Sequence, residues 1–297
     1  MTYSVRSATV RFGPTVALDD VTVEVPGGSV VAVVGGDGAG KSTLLRALAG
    51  EVSLDAGTVE APPKQRLGYL PASSGSWAAL TVAQNIDFVA GIYGLAGDEL
   101  AARRAELLDR AALTPAAGRL AAQLSGGMRR KLGFVMAIVH RPDLLILDEP
   151  STGVDPVSRI DLWRLASEAA ASGAAVLMST TYLDEAERAA HLVVLDRGRV
   201  LVQGSYDQVR ADFGGAITRT DQPVRAEWAW RRGRVLHEYW PGGDPSTPSS
   251  PSTPPSPPTP PSPPTPSGPP AGTTAVAPDL EDIVIALSLA RRDAVRS

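Results

Sequence analysis

A glycine-rich turn at residues 35–43 leaves this chain few folds to choose from. It reads Gly35-Gly36-Asp37-Gly38-Ala39-Gly40-Lys41-Ser42-Thr43. A short apolar run, VVAVV (30–34), precedes it, and KSTLLRALAG (41–50) continues with helical spacing at Leu44, Leu45 and Leu48. The pattern G-x4-G-K-[ST] has chemical meaning only in this setting, with a strand leading in and a helix leading out. The glycines let backbone N–H groups converge into a nest for anionic oxygens. The helix adds its positive N-terminal end. Lys41 then reaches the β- and γ-phosphates of a nucleotide, and Ser42 offers a hydroxyl to Mg²⁺. A turn that binds nothing is the competing reading, and the completeness and placement of the motif weigh against it. By itself the turn specifies a nucleotide and no particular reaction.

A second acidic element narrows the chemistry. LLILDEP (144–150) reads as a buried strand that ends in two carboxylates. In an open α/β sheet, ligands bind beyond the carboxyl ends of the strands. Asp148 would hold Mg²⁺, and Glu149 would orient or deprotonate an attacking water. Alone, an Asp-Glu pair at a strand end is often just a solvated cap. Its coupling to the loop at 35–43 favours the catalytic reading.

The stretch Gln123-Leu124-Ser125-Gly126-Gly127-Met128-Arg129-Arg130-Lys131 separates the remaining classes. Ser125 is a good N-cap, and Gly126 and Gly127 free N–H groups at a helix start. This would be a second anion-binding helix terminus. One nucleotide does not need two such loops from one subunit. Two subunits placed head to tail do, with each ATP between residues 35–43 of one and Ser125–Gly127 of the other.

The rest of the chain sets the frame. TVRF (9–12) and VTVEV (21–25) alternate with period two and predict strands. Residues 81–139 look helical, while AVLMST (175–180) and LVVL (192–195) read as buried strands. Strands alternating with helices imply a mostly parallel sheet. LVVLDRGRVLVQG (192–204) predicts a hairpin turning at 196–198. Arginines and tryptophans interleave over 226–240, and period two there favours a strand pair turning near Gly233 over a nucleic-acid surface. Residues 245–270 are almost wholly Pro, Ser and Thr, which predicts an extended linker. Beyond it, Leu280, Ile283, Val284 and Leu287 repeat as one face of a helix behind an Asp279 cap.

Of the 297 residues, 43% are hydrophobic and 20% charged, enough apolar content for a sizeable core. A formal charge of −4 argues against a general nucleic-acid binder. The absence of cysteine rules out disulfides and thiolate metal sites, and fits a reducing compartment. No run approaches the roughly 18 apolar residues of a membrane span, and the N-terminus lacks a secretory apolar region. His140 and His191 are expected at the surface.

Taken in order, GGDGAGKST, LSGGM, LLILDEP, STGVD and STTYLDEAER make the chain resemble the ATP-binding cassette (ABC) family over about residues 3–215. The resemblance implies an α/β P-loop NTPase with a mostly parallel sheet core, an antiparallel β subdomain and an α-helical subdomain. It implies an ATP-binding and ATP-hydrolysing subunit that works with Mg²⁺ and closes as a homo- or heterodimer with a second nucleotide-binding domain. Its partners would be transmembrane permease subunits, docked on about residues 72–100, with no nucleic acid. Its place would be cytoplasmic, peripheral on the inner face of the cell membrane. By the same resemblance Phe12 matches the aromatic residue that stacks on adenine, a strand-core role being the alternative. Asp155 matches the loop that communicates across the dimer. LSGGMRRKLGFVMAIVHRPDLLILDEPSTGVDPVSR and PDLEDIVIAL (278–287) are similar to the drug- and antibiotic-export branch.

The implied division is a nucleotide-binding domain over 1–220, with helical subdomain at about 72–139. A short β-like extension (221–244), the linker (245–277) and the C-terminal helix (278–297) follow. Two residues depart from the family pattern. Ala72 stands where a glutamine is usual, and Thr181 where a histidine meets the γ-phosphate. Both point to slow or partner-dependent turnover. The rival readings are a cassette ATPase that acts without a transporter, and a weakly hydrolysing regulatory ATP-binding module.

Overall fold

A computed structural model describes residues 1–242 and 273–296, so the extended linker expected over 245–270 lies outside the described residues. The chain divides into two compact units, 1–206 and 207–297.

In the first unit the chain forms β1 (Thr2–Phe12), β2 (Thr15–Pro26), β3 (Val30–Val34), α1 (Lys41–Leu48), β4 (Ala56–Glu60) and β5 (Leu67–Leu70). It continues through α2 (Val82–Ile92), α3 (Gly97–Arg110), α4 (Gly126–Ile138), β6 (Leu144–Leu147), α5 (Pro156–Ala171) and β7 (Ala175–Thr180). α6 (Leu183–Ala186), β8 (His191–Asp196) and β9 (Arg199–Gly204) complete it. Six strands make one sheet in the order β5-β6-β7-β3-β8-β9. All its pairs are parallel except β8 with β9, which is the hairpin expected at 196–198. Every residue of β3, β6 and β7 is buried. Their unbroken apolar runs have this cause: a parallel sheet is covered on both faces.

β1 lies between β2 and β4 in a separate antiparallel sheet. Here alternation is the rule, and Val5, Ala8, Val10, Val21, Val23 and Val25 turn inward. They share one core with Leu44, Leu45 and Leu48 of α1 and with Val31, Val33 and Ile146 of the parallel sheet. Burying each such side chain contributes about 1.5–3 kcal/mol, so α1 is held by three anchors on one stripe. α2 starts at a capping box, where the Thr81 hydroxyl accepts from Gln84 N at 3.1 Å and Gln84 Oε1 accepts from Thr81 N at 2.9 Å. His140 departs from expectation. It is half-buried, its ring stacks on Tyr93 with centroids 3.6 Å apart, and burial lowers its pKa. His191 is half-buried at the start of β8.

The second unit begins within α7 (Tyr206–Ala211) and continues with β10 (Gly215–Thr220), β11 (Ala229–Arg232), β12 (Val235–Pro241), β13 (Thr274–Val276) and α8 (Leu280–Arg296). Its four strands pair antiparallel in the order β11-β12-β10-β13. The strand pair expected in 226–240 is present as β11 and β12, with Gly233 at a φ of +59° in the turn. Two expected boundaries need correction. The first domain does not run to 220, because β10 hydrogen-bonds β12 and β13 and so belongs to the second sheet. The linker does not run to 277, because Thr274–Val276 pair with β10 as β13. Three residues of Thr-Ala-Val are too short to signal a strand alone. Asp279 caps α8, its Oδ1 accepting from Asp282 N at 2.9 Å. α8 is held by Ala286 against Ile217 and Tyr239, and by Arg232 paired with Asp279 and Asp282. No helix among the described residues is long and apolar enough to cross a membrane.

Candidate functional site

The site assembles where β3, β6 and β7 end. Because these strands are parallel and adjacent, the segments that leave them emerge on one edge of the sheet. Residues 35–43 leave β3 and run into α1. Gly40 has a φ of +106°, and a β-carbon there would stand 2.6 Å from Ala17 O. Neither the dihedral nor the space admits another residue.

Lys41 is almost fully buried, and its ammonium is shared three ways. It donates to Gly35 O at 2.8 Å and Gly36 O at 3.2 Å, and lies 3.3 Å from Glu149 Oε1. Ser42 Oγ donates to Asp148 Oδ1 at 3.1 Å across 106 residues of sequence. Asp148 is buried and takes a second hydrogen bond from Ser179 Oγ at 2.7 Å. Glu149 N donates to that same hydroxyl at 2.8 Å, and Thr152 Oγ1 donates to Glu149 Oε2 at 3.1 Å. Glu149 itself sits at a φ of +47°, in the left-handed region that costs a residue with a β-carbon. Thus Lys41, Ser42, Asp148 and Glu149 meet at one point.

Ser125, Gly126 and Gly127 form the start of α4. Ser125 caps α4 by accepting from Met128 N at 3.3 Å. A β-carbon on Gly127 would fall 2.8 Å from Ser158 Oγ and 3.2 Å from Asp155 Oδ2, so this turn is seated against the start of α5. Asp155 caps α5, accepting from Val157 N at 3.1 Å and Ser158 N at 3.0 Å. The bonds from Ser158 and Val157 hold its carboxyl below the usual carboxylate range. Among the described residues no hydrogen bond joins Ser125–Gly127 to residues 35–43. The two glycine-rich turns are not joined by direct bonds.

Phe12 is 52% exposed at the tip of β1, which removes the strand-core alternative. Thr180 pairs in register with Val34, so Thr181, exposed, stands beside the entry to the glycine turn. Ala72 is exposed just after β5.

Three residues escaped the sequence reading. Ser179 bridges Asp148 and Glu149, and its only signal was a polar residue, one of two with Thr180, at the end of the apolar run AVLMST. Glu185, buried, accepts from Ser151 Oγ at 2.8 Å, Thr180 Oγ1 at 2.7 Å and Arg159 Nε at 3.1 Å. It ties the segment after Glu149 to the segment carrying Thr181, and nothing in STTYLDEAER distinguishes it from its acidic neighbours. Arg130, buried in α4, reaches main-chain carbonyls after β5 and β6.

Comparison with known proteins matches residues 18–152 to the model for the ABC transporter family. Daunorubicin/doxorubicin resistance ATP-binding protein DrrA of Streptomyces peucetius is 36% identical over 230 residues, covering 73% of this chain and 70% of that protein. The chain belongs to the ABC transporter ATP-binding family. A second relative is "Probable multidrug ABC transporter ATP-binding protein YbhF" of Escherichia coli (strain K12), 41% identical over 201 residues and 64% of this chain. The chain spans about a third of that protein's length, 34%. A solved "Structure of ATP binding subunit of ABC transporter" superposes with a TM-score of 0.67 at 31% identity, covering 72% of this chain and 94% of that one. The P-loop NTPase fold of the cassette, with its mostly parallel sheet and separate antiparallel sheet, follows from both the topology and this match.

Proposed function

We propose that this cassette is the ATP-binding and ATP-hydrolysing subunit of an ABC transporter, and that two subunits close on ATP to drive a separate membrane permease. One observation carries the reading: Lys41, Ser42, Asp148 and Glu149 converge at the mouth of a loop whose amides can cradle a triphosphate. The phosphates take over the ammonium of Lys41 from Gly35 O, Gly36 O and Glu149. Glu149, no longer paired, orients a water in line with the γ-phosphate and receives its proton. Ser42 Oγ and Asp148 Oδ1 are hard oxygen donors already in contact, which suits Mg²⁺. When bound, Mg²⁺ neutralises charge on the β- and γ-phosphates. Ser179 keeps Asp148 oriented for that role.

Phe12 stacks on the adenine, Thr181 offers its hydroxyl to the γ-phosphate, and Ser125–Gly127 with Asp155 complete the partner subunit's site. The permease docks on about residues 72–100, where Trp77, Phe88 and Ile92 are exposed. It holds the cassette at the cytoplasmic face of the cell membrane. The names of the relatives, multidrug and daunorubicin/doxorubicin resistance, support export of small apolar or drug-like molecules.

ATP binding and phosphate release on two variants test this. Lys41→Ala should weaken ATP binding by about tenfold or more, since charge-assisted bonds are lost. Glu149→Gln should keep ATP and slow turnover by about a hundredfold or more. Wild-type affinity in the first, or wild-type turnover in the second, refutes the reading. Ala72 and Thr181 favour a second reading, a weakly hydrolysing regulatory module. Equal, slow phosphate release by wild type and Glu149→Gln would select it.

A further inference from the structure

We propose that Arg130 is a positioning residue that fixes the backbone of Glu149 and ties it to the segment leaving β5. The proposal rests on the ATPase reading above and deepens it. Arg130 leaves the second turn of α4 and is 6% exposed. Its guanidinium donates only to main-chain carbonyls. Nη1 reaches Pro71 O at 2.9 Å, Nη2 reaches Asp148 O at 3.0 Å and Glu149 O at 2.5 Å, and Nε reaches Pro150 O at 3.2 Å. A buried cation is costly unless its donors are satisfied, so this fork is not an incidental contact.

The backbone of Glu149 explains what the fork holds. At a φ of +47° the residue occupies a conformation that persists only where its surroundings over-determine it. Ser179 Oγ takes its N–H, and Arg130 takes the carbonyls of residues 148, 149 and 150. Both sides of the kink are pinned, and the kink aims the Glu149 carboxylate at Lys41. Pro71 immediately precedes Ala72. The methyl of Ala72 can make no hydrogen bond; Asp148 N donates to Leu70 O at 2.8 Å, and the guanidinium of Arg130 adds a side-chain link from Pro71 O to the carbonyls of Asp148 and Glu149. A displacement at Pro71 tilts the plane that holds Glu149. Lysine would keep the charge and lose the plane.

The full chain is compared with Arg130→Lys by steady-state phosphate release and by hydrogen–deuterium exchange. The expected result is a fall in kcat of about tenfold or more with KM for ATP within about twofold, the signature of misplacement without lost binding. Residues 71–76 and 148–154 should lose exchange protection together, while α1 keeps its own. A wild-type kcat in Arg130→Lys overturns the proposal. So does a loss of protection spread over the whole first unit, which marks a structural role only. If the wild type itself releases no phosphate, the ATPase reading fails alone. The exchange pattern then decides: loss confined to the two segments supports Arg130 as their tie, and any other pattern overturns it.

Discussion

Thr181 is a hydroxyl at a position where the family usually has an imidazole. A threonine hydroxyl can donate one hydrogen bond and accept two at short reach, but it cannot carry charge. Its neighbour Thr180 is buried, pairs with Val34 and is fastened to Glu185, so the backbone that presents residue 181 is well placed. What departs from the family pattern is the side chain alone. Thr181→His is therefore expected to raise phosphate release severalfold with little change in ATP affinity. Single-turnover assays on both forms check this, and an unchanged rate clears Thr181 of limiting turnover. Glu149 shows the opposite economy. It sits in a strained backbone conformation and is ringed by Ser179, Thr152, Lys41 and Arg130, the kind of over-determined residue expected at a catalytic centre.

α8 depends on a small charged cluster as well as on its apolar face. Arg232 meets Asp279 through two hydrogen bonds at 2.9 and 2.8 Å and Asp282 at 3.0 Å, and His237 Nδ1 lies 2.9 Å from Asp282. Burial pushes the Asp279 carboxyl up, but its bonds from Arg232 and from Asp282 N outweigh that and leave it depressed. A depressed folded value means the stabilisation is present above the ordinary carboxylate value of 3.8 and is lost as pH falls through the folded one. Acid should therefore release α8 within that window. Exchange protection of α8 across a pH series checks this. Asp279→Asn should flatten the dependence, and a series as steep as in the wild type would exclude Asp279 as its origin.

Whether the molecule works as a pair hinges on the seat of Ser125–Gly127. A β-carbon on Gly127 would crowd the side chains of Ser158 and Asp155, and Gly126 would place one no closer than 3.8 Å to Gly153 O. Gly127→Ala presses a methyl on the Ser158 hydroxyl and the Asp155 carboxylate and so perturbs the seat of this turn, outside residues 35–43. Each subunit should still bind ATP, and the ATP-induced doubling of mass expected for Glu149→Gln should be weakened. Light scattering on Glu149→Gln with and without Gly127→Ala measures it. Undiminished pairing would detach Ser125–Gly127 from the interface. How much of this was legible beforehand depends on range. The loop 35–43, the strand ending at Asp148 and Glu149, the hairpin at 196–198 and the cap at Asp279 are local features. Their sequences carry the signal because neighbours in the chain make the bonds. Sheet order, the contact between Ser42 and Asp148, the assignment of β10 and β13 to a second sheet, and the roles of Arg130, Ser179 and Glu185 are not local. Each rests on groups far apart in the chain and brought together by packing, and a polar residue bound for such a contact looks like any other until the strands are side by side.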